Sequence, residues 1–358
     1  MKRLIFLFAI IICFTCNTNS RKVEENDVKS NEKDYWRHLN YLLQIKNETA
    51  KQHWKDFATK NFFNPAIYYT HDGTYAVQPN DHILKLSGQE KTHKLEIFEF
   101  IELSEKYSDT TNFNFNTSYT ESDTTALYYQ ANVMFFQSFG LTNKLIGVED
   151  IQDWSIMVIH ELFHGYQRQR PEFKAYYTQL EMPGGPDAFL ANYHKELEWY
   201  RESIEKENEL LKAIWIEDAD LKSNLIKYDS IRTFRINRIK NEYEVDIREA
   251  EDYEILIEGH ARYFESLCKR YISKHAPNAS MLLEDDLGLI SGMFKGYEVK
   301  KDKNLSNIYN DRYYYPLGYN ISMVLEKYLP EYEETIYTEE NNFNRYIDAL
   351  KAHNNGYK

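Results

Sequence analysis

The stretch from Trp154 to Gln167, WSIMVIHELFHGYQ, restricts the fold of this chain more than any other part of the sequence. Its apolar residues, with no proline before Pro171, predict a buried helix. His160 and His164 would lie on one face of that helix, one turn apart, where both imidazoles can reach one tetrahedral Zn²⁺. Buried polar side chains without partners are costly, so the rest of the fold has to supply partners for this pair.

Glu161 follows the first histidine directly, so it would lie beside such a metal rather than point at it. In that position its carboxylate can accept a proton from the attacking water. Two histidines at this spacing also occur by chance, as ordinary core or surface residues of a helix. A metal site therefore requires a third ligand elsewhere in the chain.

A candidate third ligand lies in DYEILIEGHARYFE, residues 252–265, whose apolar pattern predicts another helix. Glu258 stands there among apolar neighbours, and a carboxylate in such surroundings should be paired or bound to a metal. Gly259 would let another helix approach closely, so that the ligands could converge. Two histidines, one glutamate and a water form a known catalytic zinc set. Glu254, one turn earlier on the same face, is the alternative ligand.

HELFH followed by EGHARYFE resembles the motifs of the gluzincin metallopeptidases, in which a short helix containing Glu-Gly supplies the third zinc ligand. The resemblance implies one Zn²⁺ held by His160, His164 and Glu258. It also implies Glu161 as the catalytic base and a peptide or protein as the substrate.

The sequence departs from many gluzincins in two respects. Residues 165–257 separate the two motifs, which is a longer interval than usual, so we interpret residues 187–248 as an inserted subdomain of long helices. The chain also lacks the Gly-x-Met-Glu-Asn stretch with which related aminopeptidases bind a substrate amino terminus. Endopeptidase and exopeptidase action therefore both stay open.

A further candidate lies in DRYYYPLGYN, residues 311–320, where tyrosines precede a predicted helix. In gluzincin-like enzymes a tyrosine in a Tyr-x-x-Gly context donates a hydrogen bond to the oxyanion of the tetrahedral intermediate. The resemblance assigns this role to Tyr315, with Tyr314 as the alternative. The chain contains 30 tyrosines, so simple packing is an equal explanation for either residue.

Composition restricts the partners of the chain. Of 358 residues, 42% are hydrophobic and 28% are charged, which is typical of a globular protein. The formal net charge of −13 argues against nucleic acid or an anionic membrane surface as the main partner. The sequence does not restrict the oligomeric state.

The first 16 residues are typical of a bacterial export signal. Lys2 and Arg3 precede the apolar run LIFLFAIIICF, residues 4–14, which is too short to span a membrane. Cys16 follows it in a sequence that resembles a lipobox, so we expect a lipid anchor at Cys16, on the periplasmic side or the cell surface, or otherwise secretion. Residues 17–31 are polar and predict a flexible tether. Cys268 then has no partner, which excludes a disulfide framework.

The remaining pattern predicts an α+β fold that is mostly helical, with a small N-terminal sheet (within residues 32–150) packed on a zincin-like HExxH helix. Residues 151–358 form the mainly helical catalytic region, including the helical insertion. We expect Asp150 to cap the HExxH helix. The other expected elements are a helix over 32–60, a hairpin over 66–77, a helix over 91–107, strands over 113–119 and 126–139, and long helices over 187–216 and 221–248. The strand over 126–139 is expected to be an edge that aligns an extended substrate.

Several polar residues carry less specific signals. His260 would point away from Glu258, so we expect it to support the site or to face the substrate. His194 lies in a charged pattern that indicates the surface. Arg232, Arg235 and Arg238 would share one solvated or ion-paired helix face.

The sequence therefore leads to one hypothesis, a zinc-dependent peptidase, and to two alternatives. The first alternative is a zinc-binding surface lipoprotein without turnover, which would have no use for a base at Glu161. The second is a zinc hydrolase that acts on an ester or on a cell-wall amide, because the sequence contains no readable substrate pocket.

Overall fold

The computed structural model describes residues 34–59, 65–89, 91–95, 97–104, 115–117, 134–142, 148, 150–170, 172–173, 185–275, 294, 296–337 and 343–353. The expected signal peptide and tether lie outside these residues. The fold is α+β and mostly helical, as predicted. No helix in the described ranges combines the length and the apolar character that crossing a membrane requires.

The elements follow one another in chain order. The strands are β1 Ala66–Tyr69, β2 Thr74–Val77, β3 His93–Leu95, β4 Phe98–Leu103, β5 Phe115–Thr117 and β6 Met134–Gln137. The helices are α1 Asp34–Gln52, α2 Asp81–Ser87, α3 Phe139–Thr142, α4 Ile151–Arg168, α5 Pro186–Glu196, α6 Glu198–Ile216, α7 Leu221–Tyr243, α8 Arg248–His275, α9 Lys303–Ser306, α10 Tyr314–Tyr328, α11 Tyr332–Thr335 and α12 Phe343–Ala352. Short 3₁₀ turns lie at Lys55–Ala58 and Val299–Lys301.

The strands form one mixed sheet in the order β3-β4-β2-β1-β6-β5. The expected hairpin is confirmed, because β1 and β2 pair antiparallel with Ala66 opposite Val77. β6 runs parallel to β1 and has β5 on its other side. The expectation that the strand over 126–139 is an edge is therefore wrong for its described part. The edges of the described sheet are β3 and β5.

The helix expected over residues 91–107 is also wrong, because this segment forms β3 and β4. His93 lies opposite Phe100 in their antiparallel pairing. Phe98 packs into the main core on one face of the sheet, whereas Ile101 and Leu103 pack into a second cluster on the other face. Burial on both faces favours strands, in which successive side chains point to opposite sides.

The HExxH helix, α4, packs against the sheet. Asp150 caps it as expected, because its carboxylate accepts hydrogen bonds from the backbone N–H groups of Gln152 (2.8 Å) and Asp153 (2.9 Å). The Trp154 indole N–H donates to the carbonyl of Gln137 in β6 over 3.0 Å. The sheet thus fixes the first turns of the helix, and the histidines lie in the third and fourth turns.

The interval expected to hold an inserted subdomain contains α5, α6 and α7. Leu197 has an extended backbone and divides the expected long helix into α5 and α6. Arg232 and Arg235 lie on the α7 face that was expected to be solvated or ion-paired, and both are buried in ion pairs. Only Arg238 is solvated, and it pairs with Glu242.

The two helices α8 and α10 cross at a pair of glycines. A Cβ atom on Gly259 would lie 2.3 Å from the Cα of Gly318, and one on Gly318 would lie 2.2 Å from the carbonyl oxygen of Ile255. Gly259 therefore permits a close helix approach, as expected. The approaching helix is α10, which carries the tyrosine candidates, and not α4.

Candidate metal centre

Two histidines on α4 form the first half of the candidate site. His160 and His164 are one turn apart and both are buried. Their ring centroids are 4.6 Å apart and the ring planes are nearly perpendicular. The Nε2 atoms of both rings approach the same carboxylate oxygen, which belongs to the neighbouring helix α8.

That oxygen is Oε2 of Glu258, and it lies 3.3 Å from Nε2 of His160 and 3.3 Å from Nε2 of His164. Ligands bound at about 2.0–2.1 Å to one tetrahedral Zn²⁺ are separated from one another by about 3.4 Å. Both distances from Glu258 Oε2 therefore match the separation of two ligands of a single tetrahedral ion.

The hydrogen bonding of Glu258 also fits a cation. Its Oε2 is buried and makes no hydrogen bond of good geometry within the described part of the chain. A buried carboxylate oxygen without a donor is costly, and a bound cation removes that cost. Glu161 lies at the same place, since one of its carboxylate oxygens and one ring nitrogen of each histidine lie within 4.8 Å of one another. The residues present thus fit a zinc ion with Glu258 as the third ligand and Glu161 beside it.

The other ring nitrogen of each histidine is held by a polar side chain. His160 Nδ1 lies 2.6 Å from Oε1 of Glu265, and His164 Nδ1 lies 2.9 Å from Oε1 of Gln167. Both acceptors fix the tautomer with hydrogen on Nδ1, which directs the lone pair of Nε2 toward Glu258. Metal-binding histidines in proteins are commonly oriented in this way.

Gln167 is fixed in turn by a buried chain of hydrogen bonds. Its amide N–H groups donate to the carbonyl of Ile257 (3.0 Å) and to the hydroxyl of Tyr337 (2.8 Å). The same hydroxyl lies 2.6 Å from Nδ1 of His260. His260 therefore supports His164 through two intermediates, which agrees with the supporting role expected for it.

The electrostatics of the cluster favour a positive charge at the site. Burial alone would lower the pKa of His160, but the nearby carboxylates of Glu258 and then Glu265 raise it to about 10. Burial alone would raise the pKa of Glu258, but His164 and His160 hold it well below its usual range. The carboxylates thus stay ionised and attract a cation to the site.

Tyr315 lies over the site. Its ring is nearly parallel to that of His160, with the planes 14° apart and the centroids separated by 6.1 Å. Burial and then the Glu258 carboxylate raise the pKa of Tyr315 well above its usual value, so the phenol keeps its proton. Tyr314 stacks on Tyr315 at a centroid distance of 5.3 Å and is nearer to Glu254 in its electrostatic environment. Of the two tyrosine candidates, Tyr315 is therefore the one that lies against His160.

Glu254, the alternative ligand, is buried one turn before Glu258. Burial and then the charges of Glu258 and Asp187 raise the pKa of Glu254 well above its usual value. Within the described residues no hydrogen bond or ion pair links it to either histidine. Its carboxyl is therefore the weaker candidate for a metal ligand.

Two supporting residues were not identified from the sequence. Glu265 lies seven residues after Glu258, two helical turns along the same face, so the spacing was a usable signal. Gln167 lies three residues after His164, which is also one turn away. The surface position expected for His194 is wrong, because its ring is buried and stacks on Tyr313 at 5.3 Å. Only the tertiary approach of residue 313 to α5 reveals that contact.

Comparison of this chain with models of known protein families, with curated proteins and with solved structures finds no match.

Proposed function

We propose that this chain is a zinc-dependent, gluzincin-like metallopeptidase that is exported and tethered at Cys16. The observation that carries the proposal is the position of Glu258 Oε2, which is buried and lies 3.3 Å from both Nε2 atoms. His160, His164 and Glu258 would hold the ion. Zinc bound there would lower the pKa of a water molecule toward about 7 and polarise a substrate carbonyl.

The residues of the chain divide the remaining work. Glu161 lies beside the ligands, where its carboxylate can take a proton from the attacking water and deliver it to the leaving amine. Tyr315, protonated and stacked over His160, can donate its phenolic hydrogen to the oxygen that becomes negatively charged. Glu265 and Gln167 keep the two imidazoles oriented.

The sheet offers a place for an extended substrate. β5 is an edge strand of the described sheet and lies next to α4. An edge strand has free backbone N–H and C=O groups that can pair with a peptide. We therefore propose β5, instead of the strand over 126–139, as the element that aligns the substrate.

Zinc content and hydrolysis of a mixed peptide library test the proposal together. We expect one zinc per chain in wild type, Glu254→Gln and Glu161→Gln, and none in Glu258→Gln. Glu161→Gln should hydrolyse peptides about 10²–10⁴-fold more slowly than wild type, because it lacks the base. Zinc without hydrolysis of any peptide would leave a binding protein or a hydrolase of other bonds. Absence of zinc from wild type purified without chelators would refute the site itself.

A further inference from the structure

A second buried polar cluster lies among α6, α7 and α8, beyond the metal centre. Arg235 is fully buried, and its guanidinium donates to both oxygens of Glu251 (3.0 and 2.9 Å) and to both oxygens of Glu207. Arg232 pairs with Asp252 and approaches Glu251. The cluster ties the helices of the insertion to the start of α8.

Glu251 also receives two tyrosine hydroxyls. Oε1 lies 2.7 Å from the hydroxyl of Tyr200 and 3.0 Å from that of Tyr313, and the two hydroxyls lie 2.6 Å from each other. The two hydroxyls have one hydrogen each, so only two of the three short contacts can be hydrogen bonds at one time. Either tyrosine can therefore donate to Glu251 when the other does not. Both tyrosines are fully buried.

Tyr313 differs from Tyr200 in its place in the chain. It immediately precedes α10, and its carbonyl accepts the hydrogen bond from the N–H of Leu317 (3.2 Å) that closes the first turn of that helix. Tyr315 lies within this turn, with its ring over His160. Tyr200 lies on α6, far along the chain from this turn.

The two sites are held in register by α8. Glu251 and Glu258 are seven residues apart, which places them about 10.5 Å apart along one face of the same helix. The Gly259–Gly318 crossing fixes α10 on α8 at the fifth residue of α10, just after its first turn. The hydroxyl of Tyr313 provides a second, separate attachment at the beginning of α10.

We propose that Tyr313, held by Glu251 and the Arg235 cluster, is a positioning residue that fixes the first turn of α10 and thereby the ring of Tyr315 over the metal centre. The inserted helices would then contribute to the reaction through this contact. The positioning itself is a property of the metal-free fold, and its consequence for the reaction rests on the proposed function.

Hydrogen–deuterium exchange of the metal-free protein tests the positioning directly, in Tyr313→Phe and in the matched variant Tyr200→Phe. Each substitution removes one buried hydroxyl from the same carboxylate oxygen. We expect the amides of Tyr315 and Leu317, which donate to the carbonyls of Arg312 and Tyr313, to exchange about tenfold faster in Tyr313→Phe, because a hydrogen bond to a charged group is lost at this turn. Tyr200→Phe should leave exchange in this turn within about twofold of wild type. Equal exchange of this turn in the two variants would overturn the proposal.

Kinetics of the zinc-loaded enzyme test the link to Tyr315. We expect Tyr313→Phe to lower kcat about tenfold without changing KM or zinc content, and to have no further effect when combined with Tyr315→Phe. Additive effects of the two substitutions would show that Tyr313 does not act through Tyr315. If wild type hydrolyses no peptide, the proposed function fails, and the exchange experiment still decides whether Tyr313 positions the turn.

Discussion

Two buried polar clusters lie seven residues apart on α8, and they differ in how their charges are balanced. Around Glu251, both carboxylate oxygens accept hydrogen bonds, and two arginines supply positive charge. Around Glu258, one buried oxygen and two imidazole nitrogens converge, and within the described residues no arginine or lysine forms an ion pair with Glu258. In the first cluster, the residues of the chain itself balance the negative charges. The second has the composition of a site that receives a cation from outside.

The two clusters differ less in burial, because the side chains of Arg235 and Glu251 are fully buried and those of His160, His164 and Glu258 are 11%, 6% and 17% exposed. A cluster balanced by its own residues should matter for folding in the absence of any ligand. A cluster that binds a cation from solution should contribute to stability mainly when the metal is bound.

The largest effect is expected from Arg235→Ala. Removing the guanidinium leaves Glu207 and Glu251 buried without their main partner, so the free energy of unfolding should fall by about 3–5 kcal/mol. Urea unfolding of the metal-free protein measures this loss. The matched variant is Arg238→Ala, which removes a solvated arginine from the same helix and should cost at most about 1 kcal/mol. Similar losses in both variants would contradict the contrast.

A smaller change in the free energy of unfolding is expected when low pH protonates His260, which supports the candidate metal centre. Burial lowers the pKa of His260 to about 3, against 6.5 in the unfolded chain. Between pH 6.5 and pH 3, His260 therefore binds a proton in the unfolded chain and not in the folded chain. The stability that is present above pH 6.5 is lost as the pH falls toward 3. The loss by pH 4.5 is about 2–3 kcal/mol.

Comparing wild type with His260→Gln isolates this contribution, because other titrating groups are common to both proteins. Urea unfolding at pH 7 and pH 4.5 should show that the stability advantage of wild type shrinks by about 2–3 kcal/mol at the lower pH. An advantage that does not change with pH would mean that His260 is not held neutral by burial.

The smallest effect is expected on zinc affinity, from a substitution of Glu265, which holds the ring of His160. Glu265→Gln keeps a hydrogen-bond acceptor for Nδ1 but removes its charge, so zinc affinity should fall about 10–100-fold. Competition with a chelator measures the affinity. Glu254→Gln, which removes a carboxyl from the same helix, should bind zinc like wild type. Unchanged affinity in Glu265→Gln would show that the contact does not support a ligand.

Local patterns predicted the elements that form the frame of the site. The apolar run and Asp150 located α4, and the HDG turn between alternating residues located the β1–β2 hairpin. The residues of β3 and β4 were mistaken for a helix because residues 98–103 are apolar on both faces, a pattern that local reading does not distinguish from a buried helix.

For the site, the spacing of His160 and His164 and the apolar surroundings of Glu258 were sufficient to select three side chains that do converge. The complete burial of Arg235 could not be predicted in this way. Its partners come from α6 and α8, and no pattern within α7 reports which carboxylates another helix will bring against it.

The spacing of Glu251, Glu258 and Glu265 makes α8 sensitive to the length of its own sequence. The three carboxylates recur every seven residues, so each lies within about 20° of the one before it around the helix. A single residue inserted between Glu258 and Glu265 would rotate everything after it by about 100° and carry Glu265 away from His160. Insertions and deletions should therefore be tolerated at the outer ends of α6 and α7. They should be excluded from the middle of α8, where the number of residues fixes the positions of the three carboxylates.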